Sequence, residues 1–397
     1  MTVHPAFPAD SSPVDPELAP LTVRVVDPLA LSPMLAEAWD RLAAQASEPN
    51  PFVERWCLQS ALHLLDPDRQ ARLVMVRDGS DGPVIGVMPL ILSARYGRVP
   101  IRHVAGWVHA NHFHGAPLVR AGFERLFWSI LLGWCDASHW ARTLLHAPRL
   151  TEDGPLHCAL MDVARVRGRE AVTVHHEERA FLDSDLSPGD YWNASVRAKK
   201  RKELRRQANR LAELGAIGFR RWQVGERVDD WVDAFLQLEG SGWKGRERSA
   251  LASQNDTAAW FRAIIAAGAE AGRLDMRAFE LDGRPLAMLI NFLSPPGAFS
   301  FKTAFDEDYA RFSPGVLLQQ DNLDILSDDR IRWADSCAAP DHPMIDSVWR
   351  ERRRLVWVNV PLSGTADRIR FALLTRAEGF WRRWKNRTTT AKQQDAP

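Results

Sequence analysis

The chain writes one order of secondary-structure elements twice. Period-2 alternation of apolar residues marks a strand, and i, i+3, i+4 spacing marks a helix. On that reading a strand at 21–26 is followed by helices at 34–45 and 52–64, with Asn50 placed to cap the second helix. Strands follow at 72–77, 84–90 and 101–107, then a helix at 123–135, a strand at 141–146, a short helix near Gly154 and a strand at 171–178. From residue 217 the order restarts with a strand at 217–223, where Phe219 is a core candidate, and helices at 228–239 and 257–271. Strands at 274–281, 285–292 and 299–305 come next, then a helix beyond Gly315 and a strand at 331–335. A helix from His342-Pro343, capped by Asp341, and a strand at 355–360 complete the second round. This order predicts an α/β (α+β) fold of two similar domains, each with its own mixed sheet flanked by helices. The expected boundaries are a Pro-, Asp- and Ser-rich tail at 1–20, a first domain at 21–185, a linker helix at 186–215 and a second domain at 216–387 that ends in an amphipathic helix.

Composition narrows the class. The 51 basic and 50 acidic residues leave a formal charge of +1, which argues against DNA or another nucleic acid bound through a global field. Cys57, Cys135, Cys158 and Cys337 are scattered and form no CxxC pair, so they read as core thiols in a reducing compartment. The first 20 residues have no basic stretch followed by an apolar run, and no stretch is apolar enough to span a bilayer. The expectation is a cytoplasmic protein, with the inner membrane as a peripheral site.

Two stretches concentrate positive charge. In 197–210, Arg197, Lys199, Lys200, Arg201, Lys202, Arg205, Arg206 and Arg210 are opposed only by Glu203, while Leu204, Leu211 and Leu214 share one helical face. A second stretch, 368–387, mixes Ile369, Leu373, Phe380, Trp381 and Trp384 with seven basic residues. Each reads as a solvated helix docked by its apolar stripe, as a contact with an anionic lipid surface, or, for the first, as a contact with cofactor phosphates.

The segment 299–326 is the strongest local signal. An apolar strand ends in the acidic loop Asp306, Glu307, Asp308 and Tyr309, then meets Ser313-Pro314-Gly315-Val316 and a helix. Free backbone N–H groups at a helix start bind anions, so this turn is the candidate site for cofactor phosphates. The first domain offers only Val119-Arg120-Ala121-Gly122 at the matching position. Its loop with His109, Asn111, His112 and His114 carries no Cys, and reads as a substrate-side loop or a polar turn rather than a zinc site.

Five blocks in this order resemble tandem GNAT folds of the CelD/BcsL-type acyltransferase family, itself similar to the FemAB-like enzymes. They are Trp39 with EPNPF (48–52), KKRKELRRQ (199–207), EGSGWKG (239–245), FKTAFDEDYARFSPGVLL (301–318) and DHPMIDSVWRERR (341–353). The resemblance implies an N-acyltransferase that uses acyl-CoA as co-substrate and needs no metal. It also implies an amine-bearing lipid or sugar as acceptor. One member type is a bacterial ceramide synthase, so long-chain transfer to a sphingoid-base amine is the most specific expectation. Acetylation of an exopolysaccharide or cell-envelope precursor, aminoacyl transfer from charged tRNA, and a non-catalytic scaffold in polysaccharide synthesis are the alternatives.

Acyl transfer to an amine needs a proton acceptor and fixed donors for the oxyanion. Glu239, beside Gly240-Ser241-Gly242, is the first candidate base, with His342 and Asp306 as helpers. Lys302, in an apolar strand, needs a partner, and Asp306 or Glu307 is the expected one. Trp243, Lys244, Glu307 and Tyr309 are the expected acceptor-side residues. Cys337 reads as a buried thiol, and no GxSxG elbow is present.

Overall fold

Alternating burial along each apolar segment builds a single sheet. The computed structural model describes residues 21–376 apart from 80–81, 139 and 365–366, and apart from the side chains of residues 243 and 244. The expected tail at 1–20 and most of the second basic stretch lie outside the described residues. Of that stretch, 367–376 is helical, and Phe371 and Leu374 pack on Leu144.

The strands are β1 (Leu21–Val26), β2 (Ala71–Asp78), β3 (Val84–Ser93), β4 (His103–Gly106), β5 (Leu118–Val119), β6 (Leu144–Thr151) and β7 (Val172–Asp183) in the first half. In the second half they are β8 (Ile217–Arg221), β9 (Leu274–Leu281), β10 (Arg284–Ser294), β11 (Gly297–Phe305), β12 (Trp333–Asp335) and β13 (Glu351–Pro361). The helices are α1 (Pro33–Gln45), α2 (Arg55–Leu64), α3 (Glu124–Ala137), α4 (Pro155–Val166), α5 (Pro188–Ser195), α6 (Ala198–Ala212), α7 (Val228–Ser241), α8 (Trp243–Arg246), α9 (Asn255–Glu270) and α10 (Pro314–Asp321).

The expected pair of separate sheets is corrected by the strand order, β1-β2-β3-β4-β6-β13-β7-β12-β11-β10-β9-β8, which is one continuous sheet. Read inward from either edge, three antiparallel pairings are followed by a parallel one and then an antiparallel one. The two runs meet at the antiparallel pair β13–β7. The last strand of each half therefore lies in the run built by the other half.

Side chains alternate between the faces of each strand. In β2, Leu73 and Met75 join a core with α1, α2, α7 and α9, while Val74 and Val76 join a second core with α3 and α4. A third core packs α5, α6 and α10 against β9 to β12. The first core crosses both halves, and Phe52 of the first half packs on Phe292, Phe299 and Phe301 of the second. Among the described residues no helix is long and apolar enough to cross a membrane.

Three local expectations are corrected. Phe219 is 51% exposed, because β8 is an edge strand with most of its residues in solvent. Asn50 does not cap α2; its amide donates to the carbonyls of His114 and Ala116, and Glu54 takes the N-cap position. Asp341 has φ +56 and no helix starts there; only a 3-10 turn at Ile345–Ser347 follows.

Candidate functional site

The parallel strands β11 and β12 separate into a fork. Their pairing covers only Gly297↔Trp333, Ala298↔Ala334 and Phe299↔Asp335, whereas β11 continues to Phe305. On its other edge, the register of β11 passes from Asn291↔Ser300 to Ile290↔Lys302, which makes Phe301 the extra residue of a β-bulge. A bulge bends its strand and re-aims the groups beside it. The edge of β11 beyond Phe299 thus faces no strand and presents main-chain donors and acceptors to the gap. Past the fork the chain makes a 3-10 turn at Glu307–Phe312, reaches Ser313 at φ +53 and enters α10. The first turn of α10 holds no acidic residue, and no side chain caps it.

The corresponding gap between β4 and β6 is filled. A side chain at Gly106 would lie 2.9 Å from Pro148 Cδ, and one at Gly115 would run into the Pro148 carbonyl. The helix after it, α3, opens with Glu124, whose carboxylate accepts the Gly122 N–H at 3.0 Å. A carboxylate already at that N-terminus disfavours a phosphate there.

Glu239 ends α7 with 4% of its surface exposed, and its Oε2 accepts the Leu251 N–H at 2.8 Å. It shares a pocket of about 40 Å³ with Gly242, Thr303, Phe305 and Glu307. Glu239 and Glu307 therefore converge beside the free end of β11. The other candidates distribute differently. Asp306 caps the 3-10 turn through the Asp308 N–H and pairs with Arg284, while Glu307 pairs with Arg246 at 2.6 Å. The Lys302 ammonium lies 5.8 Å from the Phe113 ring and 5.9 Å from the Phe301 ring. Tyr309 packs beside Phe312 and under the Arg284 guanidinium. His342 is half-buried in an irregular loop, its Nδ1 is buried without a hydrogen-bond partner, and it does not line the Glu239 pocket. The side chains of Trp243 and Lys244 lie outside the described residues.

In the turn proposed for phosphates, Pro314 and Gly315 are buried, and Ser313 and Val316 are half-buried. The Ser313 carbonyl accepts the N–H groups of Val316 and Leu317, at 3.0 and 3.1 Å. A Cβ on Gly315 would lie 2.7 Å from Met344 Sδ, so that part of the turn is covered rather than open to a cleft.

Residues of the first half, and of β13, complete the fork. Arg179 on β7 and Arg353 on β13 both bind Asp335, at 2.7 and 3.0 Å, and Arg179 also donates to the Phe113 carbonyl at 2.9 Å. The His114 ring stacks on Phe299 at 6.3 Å, and its Nε2 lies 3.8 Å from Glu48 Oε2. Among the described residues, no ring nitrogen of His112 or His114 makes a hydrogen bond of good geometry, although both residues are buried. Burial, then Arg149, pushes His112 down to about 3. Cys337 is buried at φ +52, and burial followed by the Asp335 charge holds its thiol protonated. A protonated, buried thiol has the character of a core side chain. The EPNPF and DHPMIDSVWRERR blocks bring Glu48, Phe52 and Arg353 to the fork. Arg179 had no comparable signal, because only long-range strand pairing places it there.

Comparisons with known proteins agree with this geometry. Residues 198–342, which span the fork, match the family described as "Acetyltransferase (GNAT) domain". A search of curated protein sequences gives no match. Among solved structures, that of FemX is similar at TM-score 0.55 and 10% identity, covering 82% of this chain and 95% of its own. A conserved protein of unknown function from Bacteroides thetaiotaomicron is similar at TM-score 0.51 and 10% identity, over 83% of this chain and 97% of its own. A tandem GNAT protein from the clavulanic acid biosynthesis pathway has TM-score 0.46 and 17% identity, over 87% of this chain and 99% of its own. The chain has a mixed α/β GNAT-like fold.

Proposed function

We propose that the chain is an N-acyltransferase that takes a short acyl group from a CoA thioester at the β11/β12 fork and passes it to an amine of a sugar or cell-envelope precursor. The carrying observation is the fork itself, with a bulge at Phe301, an unpaired strand edge and an acid-free helix start beyond it. The mirrored strand order supports reading the chain as two GNAT-like halves, of which only the second keeps an open fork. Its 186–215 connection is α5 and α6.

The chemistry follows from the positions. The thioester carbonyl takes N–H donation from the free edge of β11, which stabilises the oxyanion as the amine nitrogen bonds to the carbonyl carbon. The C–S bond then breaks, and the thiolate leaves and takes a proton from water. Glu239 receives the proton that the attacking nitrogen loses, with Glu307 holding the ammonium as it arrives. The donor's phosphates meet Ser313 to Val316, where the Gly315 N–H and the helix dipole favour an anion, the N–H groups of Ser313 and Val316 being bonded to carbonyls within the turn. Seating them requires Met344 to move off Gly315.

Donor length is the point on which the readings divide. Phe292 and Phe301 stack at 4.2 Å, and Phe52, Phe113 and Phe299 pack around them. This packed face supports acetyl over a long acyl chain, which would have to displace the rings. The alternative, long-chain transfer to a sphingoid-base amine, draws support from the basic outer face of α6, which suits a peripheral contact with an anionic membrane. The test is CoA release by the purified protein with C2 to C18 acyl-CoAs, against glucosamine and sphinganine, with product masses read out. Preference for C2 with the sugar amine is expected. A preference for C12 or longer overturns the short-chain reading, and no product from any acyl-CoA overturns the donor assignment.

A further inference from the structure

The first-half loop that covers the fork is ringed by cations. Arg149 donates to the His112 carbonyl, Arg179 donates to the Phe113 carbonyl, and the Lys302 ammonium stands 5.8 Å from the Phe113 ring. Arg353 reaches the same place, 5.9 Å from the Phe299 ring. The acids nearby are mostly engaged. Asp335 is shared by Arg179 and Arg353, and Glu48 Oε1 accepts the Leu156 N–H at 3.0 Å. Glu177 lies 3.9 Å from Arg179. Among the described residues Arg149 makes no ion pair within 4 Å. Arg179 and Arg353 are buried, whereas Arg149 and Lys302 are half-buried and reachable from solvent. The ring nitrogens of His112 and His114, on the same loop, are buried and make no hydrogen bond of good geometry among the described residues.

We infer that the acceptor is an amine that carries its own anionic group, a phosphate or a carboxylate, and that Arg149 and Lys302 hold this group where the first-half loop covers the second-half fork. This rests on the acyltransferase reading and names its acceptor class. The amine end points toward Glu239 and Glu307, and the anion end toward the cations, so the two ends of one molecule fix its direction. A sphingoid base, which has the amine but no anion, uses only half of this arrangement.

Matched amines test the inference with acetyl-CoA as donor. Glucosamine is compared with glucosamine 6-phosphate for the phosphate arm, and alaninamide with alanine for the carboxylate arm. The anionic member of at least one pair should have the higher kcat/KM, by about 10- to 100-fold, the range of a hydrogen bond to a charged group. Lys302→Met and Arg149→Met should each lower that ratio toward one, and Lys302→Arg should restore it. Equal kcat/KM within both pairs overturns the inference and leaves the acyltransferase reading standing. If no amine is acetylated, the acyltransferase reading falls, and the anion site is judged by binding alone. Glucosamine 6-phosphate should then raise the Tm of the parent protein above the effect of glucosamine, and should not do so in Lys302→Met. No such difference in the parent protein overturns the anion site itself.

Discussion

Arg179 and Asp335 meet through two 2.7 Å contacts, Nε to Oδ1 and Nη2 to Oδ2, although one residue belongs to β7 and the other to β12, 156 positions later. Both side chains are almost fully buried, and Arg353 from β13 adds a third contact at 3.0 Å. Removing one partner of a buried pair leaves an uncompensated charge, at a cost of about 3–5 kcal/mol. Asp335→Ala leaves two buried arginines without their acid and should lower the unfolding free energy by about that much. Urea unfolding followed by tryptophan fluorescence checks this. A change under about 1 kcal/mol would show that the triad is not a structural tie.

Glu239→Gln preserves shape, and its side-chain oxygen can still accept the Leu251 N–H. It removes the negative charge and with it the basicity. The expected fall in kcat at saturating substrate is ~100- to ~10,000-fold, the usual contribution of a general base. A loss below about threefold passes the role to His342 or to water. His342→Gln should have the smaller effect, since its loop does not line the Glu239 pocket.

Stability should depend on pH through buried histidines, those of the 109–114 loop at the fork and His103 on β4, which packs on Tyr96 and His146. His112 is lowered to about 3 and His103 to about 4, each mainly by burial, and His109 and His114 are lowered as well. A group with a depressed folded-state value binds fewer protons when folded than when unfolded. Its contribution is therefore complete above the unfolded value of about 6.5 and is lost as pH falls toward the folded value. Each such histidine steepens the loss by up to about 1.4 kcal/mol per pH unit. Thermal unfolding from pH 7 to pH 5 should show a falling Tm, and His112→Phe should flatten the slope. An unchanged slope in that variant would mean that His112 is already solvated.

The exposed face of α6 should bring the protein to anionic vesicles at low salt. Leu204 and Leu211 are buried against the third core, which turns Lys199, Lys202, Arg205 and Arg210 toward solvent. Each basic residue near such a surface contributes about 1 kcal/mol, and salt screens the attraction. Flotation with phosphatidylserine vesicles at two salt concentrations is the measurement. No binding at low salt removes the peripheral membrane contact, and with it the support that α6 gives to a lipid acceptor.

Local patterns were legible in the sequence, and crossing connections were not. The helix Val228–Ser241 follows directly from its apolar spacing, because one of its faces is packed, and the strand Leu274–Leu281 follows from an apolar run whose two faces are both packed. The Ser-Pro-Gly turn at the start of α10 was legible for the same reason, since Pro314 suits the first helical turn. The Asp341 segment failed because a cap residue before a proline is only a local signal, and here tertiary contacts place Met344 on Gly315 instead. Phe219 failed because apolar character does not reveal whether a strand lies at an edge. The closing of the first fork by Pro148, and the cations around Phe113, depend on residues far apart in the chain that no local spacing records.

The exchange of β7 and β13 removes the hinge that a two-part protein would ordinarily possess. Rotating one half against the other would have to break the β7–β12 and β6–β13 ladders together with the β13–β7 seam. In the proposed acyl transfer, loading and release would rely on small parts, such as Met344 lifting from the helix start or the His109–His114 loop shifting over the fork. The proposed acceptor and donor sides, though drawn from different halves, would be held at a fixed distance before either substrate arrives, so that orientation would come from the unliganded fold and not from the closing of a domain.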